Sequence, residues 1–341
     1  MIGRVLLALL LIFFSAACQA RPSSVQIGMT LHLREADAAS LSRQFDLMAP
    51  MKVRWVRVDI DWSAIESNAG QYDWTTSDLI VDEARARGIQ VLAVLAYSPT
   101  WAVANPQAER ATYGRPADVS TYTRFVRDAV TRYAARGVHT WEIWNEPNTS
   151  KFWPPGPDVG EYGRLFRAAA EVIRSLDPTA TLLIGGLSPE WDGPTADMEP
   201  ADYLERLYDD GAVQLADAVA VHPYNFPSFP MDSYQRTAGG FHDLPALHAL
   251  MARRGDGNKK IWITEFGAPT GTGPNAVSER DQAATLLRAR SEAAQWDWAG
   301  PLIYYELVDG GTDPHDIEEN FGVLRADYSP KLAARALMDT A

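Results

Sequence analysis

Two glutamates, Glu146 and Glu265, each close an apolar, aromatic-rich stretch of the 341-residue chain. The first stretch reads Thr140-Trp141-Glu142-Ile143-Trp144-Asn145-Glu146-Pro147-Asn148, the second Lys260-Ile261-Trp262-Ile263-Thr264-Glu265-Phe266-Gly267. Short runs rich in Ile and Trp read as buried strands, and a strand with a polar tip delivers a side chain to a pocket from a rigid base. Two carboxylates delivered in this way suit cleavage of a glycosidic bond, where one protonates the leaving oxygen and the other must be ionised. Side chains alternate along a strand. Glu142, Trp144 and Glu146 are therefore expected on one face, with Trp141, Ile143 and Asn145 on the other.

Other strand ends add chemistry. Arg54-Trp55-Val56-Arg57-Val58-Asp59-Ile60-Asp61-Trp62 sets Arg57, Asp59 and Asp61 on one face. A charged row inside an apolar strand is costly unless paired, and Glu142 is the partner expected for Arg57. Tyr97-Ser98-Pro99-Thr100-Trp101 ends one apolar run, His222-Pro223-Tyr224-Asn225 another, and Tyr305-Glu306 a third. Trp101, Trp144, Trp153 and Tyr305 are candidate sugar platforms, because the apolar faces of sugar rings pack on aromatic rings. Others of the 11 tryptophans, Trp55 among them, belong to the core. The loop at 313–320 is acidic enough to suggest Ca²⁺ but lacks the glycine-punctuated spacing of a calcium loop, so it reads as a solvated rim, with a bound cation as the lesser alternative. No metal and no cofactor is expected.

The elements that must position these groups follow from periodicity. Apolar runs at 25–31, 53–60, 90–96, 139–144, 181–184, 218–221, 260–263 and 301–305 alternate with amphipathic stretches, such as Tyr122, Phe125, Val126, Val130 and Tyr133 at helical spacing. Ser120 and Ser278 are candidate N-caps, Pro330 a first-turn proline, and Gly88, Gly137, Gly211 and Gly255 helix stops. Eight strands alternating with eight helices predict an α/β fold, a (β/α)₈ barrel over a single domain at 22–341. Strand starts between residues 25 and 301 give about 39 residues per unit, which places Glu146 on strand four and Glu265 on strand seven. A doubly wound open sheet would need a Gly-rich loop after an early strand, and none is present.

The formal charge of −13 argues against nucleic acid or an anionic membrane surface as partner, and disfavours a strongly acidic polysaccharide. Residues 1–18 read as a signal peptide: Arg4 supplies charge, 5–14 are apolar, and Ser15-Ala16-Ala17 are small. The apolar run is shorter than the ~20 residues of a membrane span. The sole cysteine, Cys18, follows directly, and the segment resembles a bacterial lipobox with Ser15 where Leu is usual. A lipid tether through Cys18 is the expectation, with an ordinary secretory peptide as the alternative. The protein is then exported, as a periplasmic or outer-membrane lipoprotein or as a secreted monomer.

Trp144-Asn145-Glu146-Pro147 resembles the acid/base signature of clan A glycoside hydrolases, and Ile263-Thr264-Glu265-Phe266-Gly267 resembles their nucleophile strand. The resemblance runs from about Val25 onward and is nearest to family 39 and related bacterial exopolysaccharide endoglycosidases. It implies Glu146 as acid/base, Glu265 as nucleophile, and retention at a β-glycosidic bond. It also implies that Arg57 supports the nucleophile, that Tyr224 of a His-x-Tyr element touches it, and that Asn145 meets the sugar 2-hydroxyl. A Trp commonly ends strand eight in the clan, whereas Tyr305 and Glu306 stand there in this chain. The substrate-binding set is thus Arg57, Tyr97, Trp101, Asn145, Trp153, His222, Tyr224, Tyr305 and Glu306, around a polysaccharide or oligosaccharide. Little chain follows Tyr328 to form the extra β-domain usual in exo-acting xylosidases, which favours endo action. The alternatives are an exo-acting β-xylosidase-like enzyme and a catalytically silent polysaccharide-binding lipoprotein; the silent binder would be expected to have lost a catalytic glutamate.

Overall fold

The eight apolar runs become eight parallel strands: β1 (Ile27–Thr30), β2 (Trp55–Asp61), β3 (Gln90–Ala96), β4 (Thr140–Asn145), β5 (Thr181–Leu187), β6 (Ala218–Val221), β7 (Lys260–Phe266) and β8 (Ala299–Tyr304). The computed structural model describes residues 25–32, 37–106, 113–189, 197–232 and 238–340. Each strand pairs with its sequence neighbours and β1 also pairs with β8, so the sheet closes in the order β1 to β8. This is the expected (β/α)₈ barrel. Helices α1 (Ala38–Met48), α2 (Trp62–Ile65), α3 (Thr75–Ala86), α4 (Val119–Ala134), α5 (Val159–Leu176), α6 (Pro200–Asp210), α7 (Leu244–Arg253), α8 (Glu279–Ala293) and α9 (Leu332–Asp339) surround it. The alternation is not strict, because α2 and α3 both lie between β2 and β3.

The helices dock by apolar stripes of the kind read from the sequence. On α4, Tyr122, Phe125, Val126, Val130 and Tyr133 are all buried. Each fully buried side chain of this size contributes about 1.5–3 kcal/mol. The barrel floor is filled by Trp55 and Trp262, edge to face at 4.9 Å, with Leu92, Leu183, Ala218, Ala220 and Ile303 around them. Two indoles fit inside eight strands only where other strands give way. A Cβ at Gly28 would lie 2.4 Å from Ile303 Cδ1 and 2.8 Å from the Trp55 carbonyl oxygen.

Helix ends refine the expectation. Ser278 caps α8 through the Asp281 amide, but α4 is capped by Asp118, which accepts from the Ser120 amide at 2.7 Å. An Asp two residues earlier competes successfully for the same role. Pro330 precedes α9 instead of starting it, and Lys331 is the N-cap. The Lys331 ammonium is buried, and donates to Asp309 Oδ1 at 2.6 Å, Thr270 Oγ1 at 2.9 Å and the Asn320 carbonyl at 3.1 Å. It thereby joins the loops that follow β7 and β8.

Candidate active site

Strand β4 does not keep a simple alternation to its end. Glu142 points inward and accepts from Arg57 Nε at 3.1 Å, Arg57 Nη2 at 3.0 Å and the Gly186 amide at 2.9 Å. Asn145 also points inward, three residues on, and its Oδ1 accepts from Arg57 Nη2 at 2.8 Å. Trp144 between them takes a left-handed φ of 69° and Glu146 one of 43°. Such conformations cost of order 1–3 kcal/mol each for residues other than glycine, and they collect at functional sites. Trp144 is therefore turned out of the row expected for it, and its Nε1 donates to the Phe152 carbonyl at 2.9 Å. Beside it, a Cβ at Gly186 would lie 2.0 Å from His222 Nε2, so glycine there lets His222 rise beneath Glu146.

Four strands contribute to one buried network. Arg57 Nη1 donates to Glu265 Oε1 at 2.5 Å and the Tyr224 hydroxyl donates to Glu265 Oε2 at 2.8 Å. His222 Nδ1 lies 2.8 Å from Glu146 Oε1 and 3.5 Å from Glu265 Oε2. Ligand atoms of Glu146, His222 and Glu265 all lie within 4.8 Å of one another. Carboxyl groups in glycosidases that retain configuration stand ~5–5.5 Å apart and those in inverting ones ~6.5–9.5 Å. The close spacing falls on the retaining side. Burial alone would raise the Glu265 carboxyl. The His222 and Arg57 charges and the Tyr224 bond outweigh it, and hold Glu265 below the ordinary carboxylate range. Burial and the charge of Glu265 push the Tyr224 hydroxyl well up, so it stays a donor. Among the described residues this trio is also the cluster with metal-ligand spacing, and Arg57 already supplies a cation at Glu265.

The network opens into a cavity of about 880 Å³ at the C-terminal end of the strands, where barrel enzymes keep their sites. Glu146, Glu265, Asn145 and Arg57 line its centre. Rings of Tyr97, Tyr113, Phe152, Tyr224, Phe226, Tyr305 and Phe321 form walls, with Asp59, Asp61, Asp73, Glu318, His32 and Lys151 between them.

Residues 20–300 match the family described as cellulase (glycosyl hydrolase family 5). The chain belongs to that family. It is a glycoside hydrolase by family, with the barrel of clan A. Among its relatives are a β-xylosidase of Geobacillus stearothermophilus, 29% identical over 35% of this chain and 26% of that one, and a probable mannan endo-1,4-β-mannosidase F of Emericella nidulans, 22% identical over 79% and 61%. The fold is shared with a family 39 glycoside hydrolase of Bacteroides cellulosilyticus WH2 at a TM-score of 0.74 and 24% identity, over 94% of this chain and 64% of that one. The chain thus spans less than two thirds of the length of each of these relatives.

Several side chains read from the sequence as sugar contacts lie elsewhere in this glycoside hydrolase. Trp153 is buried, packed edge-on against Trp144 and Tyr162, and lines a separate small pocket away from the glutamates. Trp101 donates through Nε1 to the Glu66 carbonyl at 2.8 Å and packs on Trp62, outside the cavity lining. Both are packing residues, because the aromatic layer between barrel and helices claims their faces first. Glu306 is buried against His32, and His222 lies beneath Glu146, so neither is part of the cavity lining. Tyr97, Tyr224, Tyr305, Asn145 and Arg57 do line it. Sequence reading missed Tyr113, Phe152, Phe226 and Phe321, which sit in loops where periodicity is silent. Asp59 was visible in the charged row of β2 but carried no assignment of its own.

Proposed function

We propose that this chain is a retaining β-glycoside hydrolase that cuts within a polysaccharide by double displacement. The observation that carries the reading is the pair Glu146 and Glu265, held within 4.8 Å, with Arg57 and Tyr224 both donating to Glu265. Glu265 is kept ionised and attacks the anomeric carbon. Glu146 gives its proton to the departing oxygen, and the glycosyl group is transferred to a Glu265 oxygen. Glu146, now a carboxylate, takes a proton from water, which attacks from the opposite side and releases Glu265. Asn145, fixed by Arg57, faces the ring beside C1 and meets the 2-hydroxyl, where bonds strengthen in the transition state.

A cavity of 880 Å³ has room for more than one sugar ring, which supports endo action. The name of the Emericella relative agrees with it, while that of the Geobacillus relative favours exo action as a second reading. A polysaccharide panel with products sized over time separates them. Mixed oligosaccharides early in the reaction are expected, and single sugars alone from the first minutes would refute endo action. No turnover of any aryl β-glycoside by folded protein would favour the silent binder. Export also belongs to this reading, as a periplasmic or outer-membrane lipoprotein tethered through Cys18 or as a secreted monomer. Its support is the sequence of 1–18, which lies outside the described residues. No described helix is long and apolar enough to cross a membrane.

A further inference from the structure

Strand β2 sends three charged side chains toward the cavity, and two already have protein partners. Arg57 is saturated by Glu142, Glu265 and Asn145. Asp61 caps α2, accepting from the Ser63 amide at 2.8 Å and the Ser63 hydroxyl at 2.7 Å. Asp59 lies between them, lines the cavity, and makes no hydrogen bond or ion pair with any described residue. Thr30 of β1 is in register with Arg57, and the Leu31 amide donates to the Arg57 carbonyl, which brings His32 alongside Asp59. His32 lines the same cavity. Its Nδ1 is 2.7 Å from Glu306 Oε2 and its ring stands edge-on to Tyr305 at 5.1 Å, while Nε2 has no partner among the described residues.

Asp59 is half-buried at the cavity wall, and a carboxylate there without a protein donor is one that a ligand can complete. Burial pushes the Asp59 carboxyl up to about 6, against the pull of Arg57 and His32, and it is still largely ionised at neutral pH. Against the cost of burial, the Glu306 carboxylate on Nδ1 and the charges of Asp59 and Glu265 raise the proton affinity of His32, favouring the imidazolium, whose Nε2 also carries a proton to donate. Asp59 and His32 line the same cavity as Glu265, which sets them beside the sugar that the nucleophile would meet.

We infer that Asp59 and His32 recognise two neighbouring hydroxyls of the sugar whose anomeric carbon lies between Glu146 and Glu265. Asp59 accepts from both hydroxyls, and His32 Nε2 donates to one of them. The inference rests on the glycoside reading of the cleft and deepens it. The sugar at this position has an unsubstituted vicinal diol there and no carboxylate, since a second anion would face Asp59.

The test crosses substrate with protein. Wild type, Asp59→Asn and Asp59→Ala are assayed on the p-nitrophenyl β-glycoside that wild type cleaves fastest, and on its 3-deoxy and 4-deoxy analogues. Charge-assisted bonds of this kind are worth roughly 10- to 100-fold each. Asp59→Ala should lower kcat/KM on the parent by about 10²- to 10⁴-fold for two bonds, and by only about 10- to 100-fold on a deoxy analogue that already lacks one of them. Both variants should melt at or above wild type at pH 7.5, because an unpaired charge is removed. Equal losses on the parent and both analogues, or a melting temperature lowered by both variants, would overturn the inference in favour of a structural Asp59. If wild type cleaves no glycoside, it is the functional reading that fails. The same cross is then read as Kd for the methyl β-glycosides by NMR titration, where an unchanged Kd in Asp59→Ala overturns the inference.

Discussion

Replacing Glu142 by Gln asks whether the deeper glutamate of β4 supports the site or does its chemistry. Its carboxylate takes three bonds, two from Arg57 and one from the Gly186 amide. The amide keeps one oxygen, which can still accept from Arg57 Nη2 and Gly186, but sets an NH₂ group against Arg57 Nε, donor against donor. One charge-assisted bond and one buried countercharge are lost. Removing a partner from a buried ion pair costs ~3–5 kcal/mol. Glu265 and Asn145 still hold Arg57, so the low end applies, ~3 kcal/mol. Each kcal/mol moves Tm by roughly 2–4 °C in a domain approaching this size, which predicts a drop of about 6–12 °C. Calorimetry is paired with kcat on an unactivated oligosaccharide. Glu146 and Glu265 remain, so the loss of kcat should fall short of the ~10²–10⁴-fold that acid/base help provides. An unchanged Tm with kcat lost as fully as in Glu146→Gln would refute the assignment.

Azide separates the catalytic roles: with an activated aryl glycoside, Glu146→Ala should give the β-glycosyl azide and Glu265→Ala the α-azide, by product NMR. The opposite anomers would mean that acid and nucleophile are exchanged. Tyr224→Phe removes the 2.8 Å donor from ionised Glu265, so the Glu265 carboxyl rises and the acidic limb of the kcat/KM profile moves to higher pH; a stationary limb counts against this. Phe152→Ala should raise KM for oligosaccharides several-fold, as loss of a ring contact does, whereas Trp153→Phe should leave KM alone and lower Tm. The reverse pattern would restore Trp153 as a sugar platform. For Asp59, the folded carboxyl is raised to about 6 from an ordinary unfolded value, so its ionisation costs stability above pH 6 and that cost fades as pH falls toward 4. Arg57, His32, Asp61 and Glu265 are the charges that act on it. Asp59→Asn should therefore exceed wild type in Tm at pH 7.5 and approach it near pH 4; a constant difference would argue against the shift.

The barrel was legible because strand and helix periods are strong over long runs, and the two cleft glutamates because each ends such a run. The pairing of Arg57 with Glu142 was legible too, since a buried guanidinium requires a partner of opposite charge. The faces of Trp144 and Asn145 were not. A period of two holds only while φ stays extended, and Trp144 leaves it for a left-handed turn that no residue type announces. Trp101 and Trp153 were misplaced for a related reason. Composition says that a tryptophan seeks cover, but which partner covers it, another ring or a sugar, is decided by loops of irregular path. The lining rings Tyr113, Phe152 and Phe321 come from those same loops.

The Lys331 ammonium has a consequence for how this chain can be shortened or recombined. Through Asp309, Thr270 and the Asn320 carbonyl, one cation at the threshold of α9 anchors the segment bearing Glu318 and Phe321 on the cleft wall. Chain cut before residue 331 would keep all eight strands and both glutamates, yet release that wall. Such a fragment is expected to fold around its barrel and grip polymer weakly, so grafted loops after β7 and β8 need this lysine carried with them.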